Sequence, residues 1–234
     1  MTATVETKEP AKETAQQPFR VAVFADFVCP YSFLAVEQID RIARDYGVTP
    51  MWRPHWLHPD TPPEGTPRKR DPADEERRHA WFKEMAPELY PKMRFPEKRH
   101  YSFHAFEALE FALDRERDFE YKTAVYDLLW TEGRDIGDID TLTEAATRAG
   151  LDAQEMHTAL VERVYAERAL AAVVQAHELG ITNTPTIFIG KARINGWTYD
   201  EVLEQVLEQQ GFKPKAPKAT QAPETPNAAL TDAP

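Results

Sequence analysis

Two hydrophobic rhythms run along this chain, and the change between them divides it. Val21-Ala22-Val23-Phe24-Ala25 is a continuous apolar run of strand length, and the residues after it, through Phe33-Leu34-Ala35-Val36 and Ile39, read as a helix ending near Tyr46-Gly47. Val48 to Leu57 reads as a second strand interrupted by Pro54. From about residue 79 to Gly180 the apolar positions fall close to helical spacing. Phe103, Phe106, Leu109, Phe111 and Leu113 form one group, Tyr121, Val125, Leu128 and Leu129 a second, Leu142, Ala145 and Ala146 a third, and Met156, Leu160 and Val164 a fourth. Asp140 or Thr141 is placed to cap a helix, Gly150 to end it and Asp152 to cap the next. Strand character returns at Thr186-Ile187-Phe188-Ile189, with Gly190-Lys191 as a turn and Ala192-Arg193-Ile194 as its partner. A last amphipathic helix, Thr198 to Gln210, opens on the capping-box pattern Thr198-x-x-Glu201.

The order β-α-β, a block of four or five helices, then β-β-α predicts a small α/β domain split by an all-α insertion. The boundaries follow. Residues 19–65 and 179–210 form the α/β part and 66–178 the insertion, whose entry, residues 58–79, reads as a charged, proline-rich loop. Residues 1–18 and 211–234 lack periodic apolar positions and carry Pro, Ala, Thr and Lys, so both are expected to be disordered tails.

Composition narrows the function classes. A chain of 234 residues, 42% hydrophobic, is long enough to bury one sizeable core. Its formal net charge of −11 repels phosphate backbones and argues against nucleic acid as a partner. No apolar run reaches the ~18 residues of a membrane span, and the N-terminal residues lack the apolar core of an export signal. With a single cysteine no internal disulfide can form, which fits a reducing compartment, and the cytoplasm is the expected location.

That cysteine carries the chemistry. Cys29 stands where the first strand runs into the first helix, with Pro30 next to it, so it is expected at the N-cap with Pro30 at the first helical position. Unpaired N–H groups and the helix dipole would then lower the thiol pKa from ~8.5 into the range of roughly 3.5–7.5, making Cys29 a nucleophile at neutral pH. Asp26, three residues earlier, could take the thiol proton or oppose the thiolate with its own charge.

The element order, together with Cys29-Pro30-Tyr31-Ser32 and Asn183-Thr184-Pro185-Thr186, resembles the DsbA-like family of the thioredoxin superfamily over most of residues 19–210. Arg53-Pro54-His55-Trp56-Leu57-His58-Pro59 and Thr131-Glu132-Gly133-Arg134-Asp135-Ile136 are similar to its cytoplasmic, FrnE-like branch. The resemblance implies a thioredoxin-like fold with a helical insertion and a cis-proline at Pro185 beside the reactive cysteine, offering the Thr184 backbone to a substrate chain. It also places His55 near the active-site end, in contact with thiol or substrate, and gives Pro30 and Tyr31 a share in substrate contact.

Ser32 stands where dithiol members carry a second cysteine. A serine hydroxyl cannot expel a mixed disulfide by attacking sulfur, so the implied activity is monothiol thiol–disulfide exchange, with Cys29 and Ser32 as the catalytic pair and release by an external thiol. The substrates would be thiols or disulfides, protein or small-molecule. No tightly bound cofactor is implied, and glutathione or another low-molecular-weight thiol would serve as cosubstrate. Two alternatives stay open. Pro-Tyr-Ser also resembles kappa-class glutathione transferases and 2-hydroxychromene-2-carboxylate isomerases, and a catalytically weak peptide-binding module on the same fold is the third reading. Homodimer formation is likewise open.

Other clusters read more plainly. His100 and His104 are four apart at a helix start, but no third ligand stands at a familiar spacing, and no metal is expected. Arg68-Lys69-Arg70 and Arg77-Arg78 alternate with Asp71, Asp74, Glu75 and Glu76, which reads as a solvated loop. Among nine glycines there is no phosphate-binding loop.

Overall fold

The computed structural model describes residues 4–6 and 21–215. Its centre is a five-stranded sheet in the order β1-β7-β6-β2-β3, built from β1 (Thr4–Glu6), β2 (Val21–Ala25), β3 (Met51–Pro54), β6 (Thr186–Ile189) and β7 (Ala192–Asn195). β2 and β3 are parallel, with Val23 opposite Trp52, because α1 (Pro30–Tyr46) carries the chain back between them. The other neighbours are antiparallel; Val23 lies opposite Ile187, and Ile187 opposite Ile194. Pro54 ends β3 on the sheet's outer edge, where its missing N–H costs no ladder bond.

Alternation along β2 assigns the two faces. Val21 packs with Ile187 and Ile189 against Ile39 and Ile42 of α1 and against Leu203 and Leu207 of α8 (Asp200–Gln209). Ala22, Phe24 and Phe188 point the other way, onto Ala176 of α7 (Ala166–Glu178) and Ile181. The last helix of the expected insertion thus also covers the sheet. α1 ends where Gly47 takes φ 65°, a left-handed stop in which its N–H bonds the Arg44 carbonyl.

The rest of the insertion is α3 (Phe103–Leu113), α4 (Asp118–Trp130), α5 (Ile139–Arg148) and α6 (Ala153–Val161), following the spacing read in the sequence. Asp138, rather than Asp140 or Thr141, caps α5, while Asp152 caps α6 as expected. Val164 falls beyond α6 and is exposed. α4 is pinned to α1 by a buried ion pair, Lys122 to Asp40 at 2.6 Å, the two side chains 1% and 7% exposed. Trp130 Nε1 donates to the Phe27 carbonyl at 2.8 Å, tying α4 to the strand-to-helix junction.

The entry to the insertion differs from the expected loop. Residues 58–79 include β4 (Thr66–Pro67), paired with β5 (Lys98–Arg99), and the start of α2 (Pro72–Met85). Asp71 caps α2, its carboxylate accepting from the Ala73 N–H at 2.8 Å, and Pro72 occupies the first turn. Strands of two residues show no period, and α2 is charged almost all round, so neither stands out as an element. At the last helix, Thr198 is buried and the N-cap is Tyr199 with no side-chain cap bond, in place of the expected capping box. The ends differ as well. Thr4–Glu6, within the expected N-terminal tail, pairs antiparallel with β7. Phe212 is buried and the Lys215 N–H bonds the Asp45 carbonyl, so packing continues past 211. The remainder of both tails lies outside the described residues. Among the described residues no helix is long and apolar enough to cross a membrane.

Candidate functional site

Cys29 is the N-cap of α1, in extended conformation, with Pro30 in the first turn and its own carbonyl accepting the first helical bond from the Phe33 N–H at 3.1 Å. The position is as the sequence implied; the environment is not. Cys29 is 5% exposed, and its Sγ–H donates to the Thr184 carbonyl at 3.3 Å. Burial pushes the thiol above its ordinary pKa and the charge of Asp26 adds to this, while Thr184 and Ser32 pull it down. The expected depressed pKa is therefore corrected: in this closed arrangement desolvation of the thiolate outweighs the helix start, and Cys29 rests as a thiol.

Ser32 is fully buried one turn along α1. Its hydroxyl favours the thiolate, yet Oγ closes no hydrogen bond within ordinary distance and angle limits. A buried hydroxyl left without a partner near a thiol is free to turn toward a charge that appears there. Thr184–Pro185 is a cis peptide, as the resemblance implied, and Thr184 is 7% exposed with its own hydroxyl unpartnered. The Pro185 carbonyl is already used by the Gly196 N–H at 2.8 Å.

Asp26 lies beneath this group, completely buried. Its carboxylate accepts from the Leu57 N–H at 2.9 Å and the Val28 N–H at 3.2 Å. Burial nevertheless outweighs these bonds and raises its pKa from 3.8 to about 6. A carboxyl that titrates near neutrality within electrostatic reach of the thiol can exchange a proton with it. The Tyr126 hydroxyl donates to the Asp26 backbone carbonyl at 3.4 Å and closes the site from α4.

Tyr31 joins an aromatic row. Its ring centroid lies 5.1 Å from Trp81 and 5.1 Å from Phe82, and Trp81 continues to Trp197 at 5.3 Å. The row joins α1, α2 and the β7–α8 connection along one side of the site. His55 makes no direct bond to this group. It follows β3, is 9% exposed, and feels His177 of α7 after burial itself, both lowering its pKa. Its ring makes no hydrogen bond to the sulfur, whose partner is Thr184. His100 and His104 are committed elsewhere, Nδ1 of the first to Asp135 and Nδ1 of the second to the Gly137 carbonyl at 3.2 Å. No cluster of three or more metal-ligating His, Cys, Asp or Glu side chains occurs among the described residues.

The basic residues read as a solvated loop instead gather at one place. Arg68 and Lys69 after β4, Arg70, Arg78 of α2 and Arg99 of β5 line a cavity of about 430 Å³ together with His58. Arg68 feels the charge of Cys29, and Tyr31 feels both Cys29 and Arg78, so the cavity lies within electrostatic range of the thiol, although Cys29 is not among its lining residues. Arg99 enters through the pairing of Thr66 with Arg99, a contact across more than thirty residues that no local pattern announces.

The comparisons with known proteins agree with the fold. Residues 20–208 match the family model described as DSBA-like thioredoxin domain. An uncharacterized protein of Bacillus subtilis, YwbO, is 31% identical over 196 residues, covering 82% of this chain and 98% of its own length. A probable DsbA oxidoreductase of Streptomyces coelicolor superposes with TM-score 0.71 at 22% identity, over 91% of this chain and 99% of that one. A 2-hydroxychromene-2-carboxylate isomerase superposes with TM-score 0.63 at 21% identity, over 82% and 94%. With a family model spanning β2, β3, β6 and β7 of the sheet, the insertion and the Cys29 junction, the chain belongs to the family of DSBA-like thioredoxin domains.

Proposed function

We propose that this protein catalyses monothiol thiol–disulfide exchange, with Cys29 as nucleophile. The observation that carries the reading is the junction itself: the one cysteine, at the N-cap of α1, bonded to the Thr184 carbonyl, with serine and not cysteine one turn further on.

A substrate disulfide whose backbone pairs with Thr184 displaces the Sγ–H bond and brings its sulfur to Cys29. The thiol proton passes to Asp26, and Ser32 turns its hydroxyl to the thiolate. The thiolate attacks one substrate sulfur, the substrate S–S bond breaks, and the other half leaves as thiolate and takes up a proton. Cys29 now holds a mixed disulfide. Ser32 cannot open it, because an unactivated hydroxyl does not displace a thiolate from sulfur, so a second thiol from solution attacks the substrate sulfur and returns Cys29 to its starting form. The cycle leaves the protein unchanged and exchanges one disulfide for another. It belongs in a reducing compartment such as the cytoplasm, where small thiols are abundant.

The test is turnover of a small symmetrical disulfide by glutathione, followed with the wild type and Cys29→Ser. The wild type should raise the rate above background in proportion to enzyme, and Cys29→Ser should return it to background. Equal rates would remove the proposal. Turnover of a glutathione-dependent isomerisation or transfer that survives Cys29→Ser would favour the transferase reading in its place.

A further inference from the structure

Four arginines and a lysine around one cavity is an unexpected concentration in a chain of net charge −11. The fold builds it deliberately. Gly65, at φ 82°, lets the chain pass so close to β5 that a Cβ there would sit 2.7 Å from the Arg99 carbonyl, and the Pro67–Lys98 pairing then presents Arg68 and Arg99 together. Only part of the charge is neutralised inside the protein. Arg70 and Arg78 share Glu75, whereas Arg68 and Arg99 have no carboxylate partner among the described residues. The Nε atoms of Arg68, Arg70 and Arg78 are buried and lack hydrogen-bond partners. Burial and the three neighbouring guanidiniums push Arg68 down to about 10, the mark of crowded cations without a counterion. Unpaired guanidinium forks facing a cavity are suited to oxyanions, which they grip through paired N–H donors.

We propose that this cavity binds the multiply charged anionic end of the small thiol that resolves the Cys29 mixed disulfide, a phosphate-bearing or polycarboxylate thiol. The inference rests on the monothiol reading for its role and on the cavity for its chemistry. With the anion held by Arg68 and Arg99, the thiol at the other end attacks the substrate sulfur of the Cys29 disulfide. That S–S bond breaks, Cys29 leaves as thiolate and is reprotonated, and the new disulfide departs with the anion.

Two measurements on the full chain separate this proposal from the activity it rests on. The first is calorimetric titration with inorganic pyrophosphate, which needs no cysteine chemistry. The wild type should bind at low salt, with affinity falling steeply as salt rises, and Arg68→Gln and Arg99→Gln should each weaken binding by about tenfold or more. Absence of binding in the wild type overturns the site whatever Cys29 does. In the second, Cys29 is first converted to its mixed disulfide with 2-mercaptoethanol by exchange with bis(2-hydroxyethyl) disulfide, which releases one 2-mercaptoethanol, and the loss of the bound group is then timed with pantetheine, with 4′-phosphopantetheine and with glutathione. The phosphorylated thiol should exceed pantetheine about tenfold or more at low salt, and the ratio should approach one at high salt and in Arg68→Gln. A glutathione rate matching the phosphorylated thiol would assign the cavity to carboxylates as well, and a rate matching pantetheine would restrict it to phosphate. Equal rates for pantetheine and 4′-phosphopantetheine in the wild type at low salt would overturn the role in resolution. Should Cys29 accept no 2-mercaptoethanol at all, it is the exchange reading that falls, and the pyrophosphate titration still decides the site.

Discussion

At the scale of single residues the site is a balance between burial and charge. Asp26 keeps its proton to about pH 6 in the folded protein, whereas an unfolded aspartate releases it near 3.8. Between those values the folded state binds more protons, so stability should fall as pH rises through the window. The shift corresponds to about 3 kcal/mol at neutral pH. Because Asp135 and several other carboxylates are held below their ordinary pKa and gain stability as pH rises, the readout is the difference between the wild type and Asp26→Asn in chemical unfolding, which should move against the wild type by most of this amount from pH 4 to pH 7. A difference that stays constant over this range would place the Asp26 pKa near its ordinary value. Ser32 is the second decisive residue. Ser32→Cys sets a second thiol one turn from Cys29, so a mixed disulfide formed with oxidised glutathione should no longer persist, and an internal disulfide should appear in the intact mass. Persistence of the adduct in that variant would show that position 32 is not oriented toward the sulfur.

At the scale of elements, the helical insertion holds the junction in place. The Lys122–Asp40 pair joins α4 to α1 in the interior, with Lys122 Nζ also 4.2 Å from the Trp52 ring centroid. Removing one member strands the other's charge, so Lys122→Met should cost about 3–5 kcal/mol of unfolding free energy, and adding Asp40→Leu should recover most of it. If the double variant were no more stable than the single one, packing and not charge would govern that contact. The elements that were legible in the sequence are those whose signal is local. β2, α1, α3, α4 and β6 follow from apolar spacing, and the Cys29-Pro30 start of α1 from cap chemistry alone. β4 and β5 were illegible because two residues carry no period. α2 was read as loop because its surface is charged on nearly every side, so it shows no apolar stripe.

Over the whole molecule the same division holds for function. Cys29, Ser32, Thr184 and Pro185 could be read as a site because each sits in a short motif, and the structure brings Cys29 and Thr184 into contact across 155 positions. His55 was drawn in by its segment; it is buried after β3 and feels the charge of His177 of α7. The arginine cavity was missed because most of its members are interleaved with acids along the chain, and only the β4–β5 pairing and the turn of α2 bring Arg68, Arg70, Arg78 and Arg99 around one space. The direction of the Cys29 pKa was likewise beyond the sequence, since a helix start is local and burial is not. Burial holds the Cys29 thiol protonated, within electrostatic range of Arg68, in a chain of net charge −11.

The claim on which all of this turns is that Cys29 forms a covalent, externally resolved intermediate. The direct measurement is the intact mass of the wild-type protein after exposure to oxidised glutathione, before and after addition of excess reduced thiol. One glutathionyl group should be gained, absent in Cys29→Ser, and lost again when the thiol is added. A wild-type mass that does not change under native conditions, while the unfolded chain is modified, would show that Cys29 is a buried structural thiol and would contradict the account.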